Sequence, residues 1–217
     1  MRLAALALTL TMLTPLPAAA QILVYDPVPN SAANKAMHRL AICAAQRRVI
    51  AEKLLATLPQ TREEHNLAGR LIDPDPGCDY GGGQIEFSVR YMRGGVAEAL
   101  LEQDFGNLGG KARRKPAALF HTADIADPAS LSDESKGSIG MILFGQCVAH
   151  PAPGDVAALF GTIVGSSDEN AVFKKLSPAM ASCAPSGNIP NTSGLQMRGY
   201  LAEGAYREAV ASEEKGE

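Results

Sequence analysis

Few residues in this 217-residue chain are of types and spacings that could do chemistry. Four cysteines, Cys43, Cys78, Cys147 and Cys183, allow three disulfide pairings. No Cys-x-x-Cys pair and no paired-histidine spacing occurs, so no metal and no cofactor is expected. The carboxylates Asp73, Asp75 and Asp79 are the hard oxygen ligands calcium prefers. Two prolines interrupt that loop, however, and the later Glu of an EF-hand is missing. The histidines are His38, His65, His121 and His150, and His121 with Asp124 is a pairing that chance readily supplies. No Gly-x-Ser-x-Gly elbow, phosphate loop or zinc-protease motif is present. Bonded cysteines are not nucleophiles. Catalysis would therefore need a histidine and a carboxylate that only folding brings together.

Two strings are more distinctive. Met92-Arg93-Gly94 is followed by Ala97-Glu98, and Met197-Arg198-Gly199 by Ala202-Glu203. A guanidinium fork binds anions in bidentate fashion, so a functional reading makes Arg93 and Arg198 a symmetric pair of anion ligands near helix N-termini. The structural reading, favoured because duplication preserves fold determinants most readily, has each arginine holding a capping carboxylate or loop carbonyls. Arg and Glu five residues apart on a helix face different ways, so they do not pair within one string. Gly94 and Gly199 permit close approach of another helix.

The strings belong to a longer repeat. At an offset of 105, Leu54, Thr57, Glu64, Leu71, Cys78 and Ser88 recur as Leu159, Thr162, Glu169, Leu176, Cys183 and Ser193. Adding the two strings gives eleven identities from residue 54 to 102, where chance supplies about three. A shift of one residue then places Cys43 on Cys147. We read this as an internal duplication. The expected divisions are a signal peptide (1–20), an N-terminal extension (21–30), a helical unit (31–105), a linker (106–132), a second helical unit (133–210) and a charged tail (211–217). A unit that once stood alone needs its own bond, which selects Cys43–Cys78 and Cys147–Cys183.

The elements that must position these residues are helical. Met37, Leu40, Ala44, Ala51, Leu54 and Leu58 share one face of a first helix that is interrupted at Arg47 and Arg48. In the second unit Pro151 and Pro153 break that helix, which restarts at Gly154-Asp155 and runs to about Ile163. Thr61 with Glu64 and Ser166 with Glu169 are capping boxes opening a second helix that runs to about Leu71 or Leu176. A loop carrying the second cysteine follows, with Ile85, Phe87 and Val89 alternating as a short extended segment. A third helix starts after Ser88 or Ser193, which reads as a cap rather than as part of a glycosylation sequon. Lys111 to Lys115 reads as a solvated linker face, with a short ordered piece at 117–121. The expected fold is mainly α: two tandem three-helix units, each tied by one disulfide.

Composition and the first residues set the compartment. Arg2, the apolar run from Leu3 to Leu13 and the small residues Ala18-Ala19-Ala20 form a secretory signal, cut after Ala20. Loss of residues 1–20 leaves 19 basic and 23 acidic residues, net −4, which disfavours nucleic acid as a partner. No later run reaches the roughly 18 apolar residues of a spanning helix. The expectation is a periplasmic or secreted protein in which the cysteines are oxidised.

Several residues together carry a family resemblance. Cys147-Val148 with Pro151 four residues after the cysteine, Val156-Ala157-Ala158-Leu159, Cys183, Arg198-Gly199, Ala202-Glu203 and Tyr206-Arg207 resemble a family of small exported alphaproteobacterial proteins with no assigned activity. The likeness covers most of the second unit and, more loosely, the first. The first unit lacks the proline after its cysteine and the Tyr-Arg ending, so it is the more diverged. The resemblance implies an envelope location and supplies no catalytic residues. The expected function is an exported interaction or binding module for an envelope protein, a polymer or a small ligand. The alternative is an envelope hydrolase with a His/carboxylate site assembled by folding.

Overall fold

A computed structural model describes residues 31–72, 78, 88–106, 108, 110–185 and 190–216. Every regular element among them is helical: α1 (Ser31–Ala44), α2 (Arg48–Ala56), α3 (Arg62–Ile72), α4 (Val89–Phe105), α5 (Asp133–Ala149), α6 (Pro153–Phe160), α7 (Ser167–Cys183) and α8 (Gly194–Gly216). The expected signal segment and 21–30 extension, the loop carboxylates Asp73, Asp75 and Asp79, and Ile85 and Phe87 lie outside the described residues. Val89, the last member of the expected alternation, instead opens α4.

The helices are four per half rather than three. The expected first helix is two, because the chain makes tight turns after Ala44. Gln46 N–H donates to Cys43 O and Arg47 N–H to Ala44 O. The turn lets Arg47 Nη1 reach the Arg70 carbonyl at 2.7 Å and lets Arg48 fork onto Asp104 at 2.6 and 3.1 Å. In the second half the break falls at the prolines, as the sequence requires, and Pro153 sits in the first turn of α6. The opposite difference occurs in α7, which continues through Pro178 to Cys183 rather than stopping near Leu176. Proline costs a helix one hydrogen bond and a clash with the preceding turn. Here Leu176 and Met180 are buried on either side of it, and a disulfide anchors the helix end.

Both capping boxes form, with one variation. The Thr61 and Ser166 hydroxyls accept from Glu64 N–H (3.2 Å) and Glu169 N–H (3.1 Å). The carboxylates reach one residue further back than the cap, to Gln60 N–H (2.6 Å) and Gly165 N–H (2.7 Å). Both backward-reached residues have positive φ, 61° at Gln60 and 73° at Gly165. Ser193 caps α8 by accepting from Gln196 N–H at 3.2 Å. Disulfides Cys43–Cys78 and Cys147–Cys183 tie each half internally.

α4 and α8 form the centre and have the most extensive mutual packing, with α1 against α4 and α5 against α8. They cross at Gly94 and Gly199, where a Cβ on Gly199 would lie 3.1 Å from the Gly94 Cα. One apolar core runs through both halves, including Leu54, Met92 and Leu100 from the first and Leu159, Met197 and Leu201 from the second. The 110–132 segment is not a loose connector. Ala117 and Phe120 are buried, Arg48 Nη2 donates to Lys115 O, and Arg113 N–H donates to Asp104 O.

Candidate functional site

The two arginines of the repeated strings lie at the centre of the molecule, 3% and 1% exposed. Close packing of α4 on α8 sends each across to the opposite half. Arg93 forks onto Glu203, with Nε–Oε2 2.7 Å and Nη2–Oε1 2.8 Å. Arg198 forks onto Glu98 with Nε–Oε2 2.8 Å and Nη2–Oε1 2.7 Å. Each also binds the capping glutamate of its own half: Arg93 to Glu64 at 3.2 Å and Arg198 to Glu169 at 3.0 Å. The remaining donors go to Leu54, Leu55 and Thr57 carbonyls from Arg93, and to the Phe160 carbonyl and Thr162 hydroxyl from Arg198. A guanidinium has five N–H groups, so neither has one left for an outside anion. The two candidate anion ligands hold internal carboxylates and loop carbonyls, the arrangement of the structural reading.

Burial alone would lower the Arg93 pKa, but Glu203 and Glu64 outweigh it and hold the guanidinium above its ordinary value. Arg198 is raised likewise, with Glu98 and Glu169 overcoming burial. Glu98 is pushed up by burial and pulled further down by Arg198 and His38, so it stays below the usual carboxylate range. It is a fixed anion and a poor general base.

The two ends of this lattice differ. Over Glu203, Arg207 donates to Oε1 at 3.3 Å and stacks on the Phe120 ring at 3.9 Å. Arg207 Nη1 also donates to Phe120 O at 2.8 Å, and Ala117 N–H donates to the Tyr206 hydroxyl at 2.6 Å. The 117–120 backbone thereby seals that end. Burial raises the Tyr206 pKa, and the hydrogen bond from its hydroxyl to Asp104 raises it further. Over Glu98 no segment among the described residues plays this part. His38 Nε2 lies 3.1 Å from Glu98 Oε2, at the wall of an open cleft of about 560 Å³. Its walls come from both halves: His38 and Ile42 of α1, Leu101 and Glu102 of α4, Ala157 and Phe160 of α6.

The other histidines are peripheral. His150 Nδ1 meets Glu208 Oε1 at 2.7 Å beside a second cleft of about 660 Å³, but its ring is largely exposed. His65 Nδ1 contacts the Thr61 carbonyl at 2.8 Å. His121 meets Asp124 through the backbone alone, Asp124 N–H donating to His121 O. Among the described residues no group of three or more His, Cys, Asp or Glu could hold a metal.

Sequence reasoning singled out the repeated Arg and Glu but did not cross-pair them, since the spacing inside one string hides a partner in the other. Arg207 and Phe120 had no signal as site residues, and His38 was one histidine of four. No protein-family model matches the chain, and neither a curated protein nor a solved structure is significantly similar to it.

Proposed function

We propose that the protein is an exported binding module, acting in the periplasm or outside the cell, whose ligand occupies the cleft between α1, α4 and α6. The observation that carries this reading is the cleft itself. Both halves build it, its floor is largely apolar, and its polar groups converge at His38 and Glu98. That is the usual composition of a ligand site. Two disulfides support export, as oxidised cysteines persist outside the cytosol. No helix among the described residues is long and apolar enough to cross a membrane. The signal-like first twenty residues and the resemblance to small exported alphaproteobacterial proteins point the same way.

We infer too that the chain arose by duplication. Arg93 and Glu203 mirror Arg198 and Glu98 at the 105-residue offset, as do Glu64 and Glu169. That reciprocity is the mark of an isologous contact, in which each copy offers the same surface to the other.

The test is native mass spectrometry of the mature protein taken from its own cell envelope. A retained mass that is lost on His38→Ala and Phe160→Ala substitution supports a ligand in this cleft. A bare protein, together with no binding in screens of envelope fractions, would overturn it. The second reading, a hydrolase, draws on His38 lying 3.1 Å from Glu98, whose carboxylate orients the ring and leaves Nδ1 to act on water. It predicts turnover of an ester or amide that His38→Ala abolishes. Among the described residues no serine, threonine or cysteine lines the cleft, so such an enzyme would use water directly.

A further inference from the structure

Among the described residues the molecule holds two sequence-equivalent faces, one covered by its own chain and one open. On α8, Glu203, Tyr206 and Arg207 lie under the irregular segment 117–120. At the 105-residue offset their counterparts on α4 are Glu98, Leu101 and Glu102, and these line the cleft. We propose that the open cleft binds an extended peptide carrying an aromatic side chain next to a basic residue. The inference rests on the binding reading above and names its ligand class.

The covered face shows what such a groove holds. Its occupant is backbone in no regular structure, with an aromatic ring as its anchor. Ala117 supplies an N–H to Tyr206, and Phe120 supplies its ring and carbonyl to Arg207. The segment hydrogen-bonds to side chains of a helix, so any chain with the same backbone can compete for a similar face. The open face keeps an apolar floor from Ile42, Leu101 and Ala157, with the Phe160 ring beside it.

Charge defines the difference between the two occupants. At the covered end Arg93 and Arg207 balance Glu64 and Glu203. At the open end Arg198 faces Glu98 and Glu169, and the His38 imidazole meets Glu98 from the cleft wall. The counterpart of Arg207 is Glu102, which adds a further carboxylate at the rim. Among the described residues no lysine or arginine lines this cleft, and His38 is its single basic group. The second guanidinium that Arg207 supplies on one side thus has no counterpart among the described residues on the other, where an imidazole stands instead. A lysine or arginine of the ligand meets that deficit, whereas an acidic neighbour is repelled.

The experiment uses the oxidised mature chain and two capped synthetic peptides, Ala-Ala-Leu-Phe-Lys and Ala-Ala-Leu-Phe-Glu. Binding is measured by calorimetry and located by the chemical shifts of the His38 ring. The lysine peptide should bind roughly tenfold more tightly than the glutamate peptide, shifting His38. Replacing its Phe with Ala should remove most of the affinity. Glu102→Arg, an exposed substitution, should reverse the Lys/Glu preference. Equal affinities, or binding that leaves His38 unshifted, would overturn the peptide assignment. If neither peptide binds but a co-purified mass occupies the cleft, the peptide inference falls and the binding module stands. If neither peptide nor co-purified mass enters it, both fall.

Discussion

Arg198 separates what a fork does from what a charge does. It is fully buried, takes Glu98 through two parallel hydrogen bonds and Glu169 through a third. Removing one partner of a buried ion pair strands the other, at about 3–5 kcal/mol. Arg198→Met leaves two buried carboxylates stranded and should cost at least that much. Arg198→Lys keeps the charge but cannot serve Glu98, Glu169 and the Phe160 carbonyl from one ammonium. It should lose most of the same stability, read as a lower urea midpoint at unchanged slope. A lysine variant as stable as wild type would show that a point charge suffices. Glu98 gives the matching pH prediction. Its pKa lies below the ordinary 4.5 in the folded state. Its contribution is therefore complete above about pH 4.5 and disappears as pH falls through the folded value. Glu98→Gln should be less stable at neutral pH and show a shallower loss of stability as pH falls below about 4.5. Parallel profiles for the two proteins would remove Glu98 from the acid response. At this scale the repeated residues were legible because identity at a fixed offset is visible in a line of letters. Their cross-pairing was not, because it depends on how closely two helices cross.

That crossing belongs to the elements. Gly94 and Gly199 let α4 and α8 approach to backbone contact, but their surroundings are unequal. A Cβ on Gly94 would fall within contact distance of the Gly199 backbone, while one on Gly199 would lie 3.1 Å from the Gly94 Cα. Gly94→Ala must push the helices apart and strain both arginine forks. Gly199→Ala needs a shift of only a few tenths of an ångström. We expect Gly94→Ala to lower the thermal midpoint well beyond Gly199→Ala, with overpacking costs typically about 1–3 kcal/mol. The reverse order would mean that another contact sets the crossing. The turns before α3 and α7 provide a complementary test. Gln60 and Gly165 occupy equivalent positions with φ of 61° and 73°. A side chain strains this region and glycine does not. Gln60→Gly should be neutral or stabilising by up to about 1 kcal/mol, and Gly165→Ala destabilising by about the same amount, by urea unfolding. Opposite signs would show that neighbours rather than φ control these turns. The boxes that follow were legible since hydroxyl and carboxylate stand three residues apart. The break of the first helix was legible at Arg47 and Arg48, but the three-residue turn that makes two helices of it, and the passage of α7 through Pro178, were not. Both depend on distant partners, the Arg48 fork on Asp104 in one case and burial with a disulfide in the other.

At the scale of the whole molecule the two halves are bonded separately yet packed together. Each disulfide closes a loop inside its own half, and by loop entropy each contributes about 4 kcal/mol at most. The arginine forks cross between halves, and one apolar core spans them. Unfolding either half alone would strand Glu203 or Glu98 and expose that shared core, at a cost well above the thermal energy. The halves should therefore unfold as one. Circular dichroism and the fluorescence of the tyrosines should trace a single urea transition with coincident midpoints. Replacing Cys147 and Cys183 together by alanine should move that one midpoint down without splitting it, since the first half loses its partners when the second unfolds. Two transitions in the variant, one near the wild-type midpoint, would show that the first half stands without the second and that the buried exchange of arginines does not couple them. The open cleft depends on the same coupling, because its walls come from α1 and α4 of one half and α6 of the other. A ligand held there touches both halves, so saturating ligand should raise the single midpoint of wild type and of the cysteine variant alike.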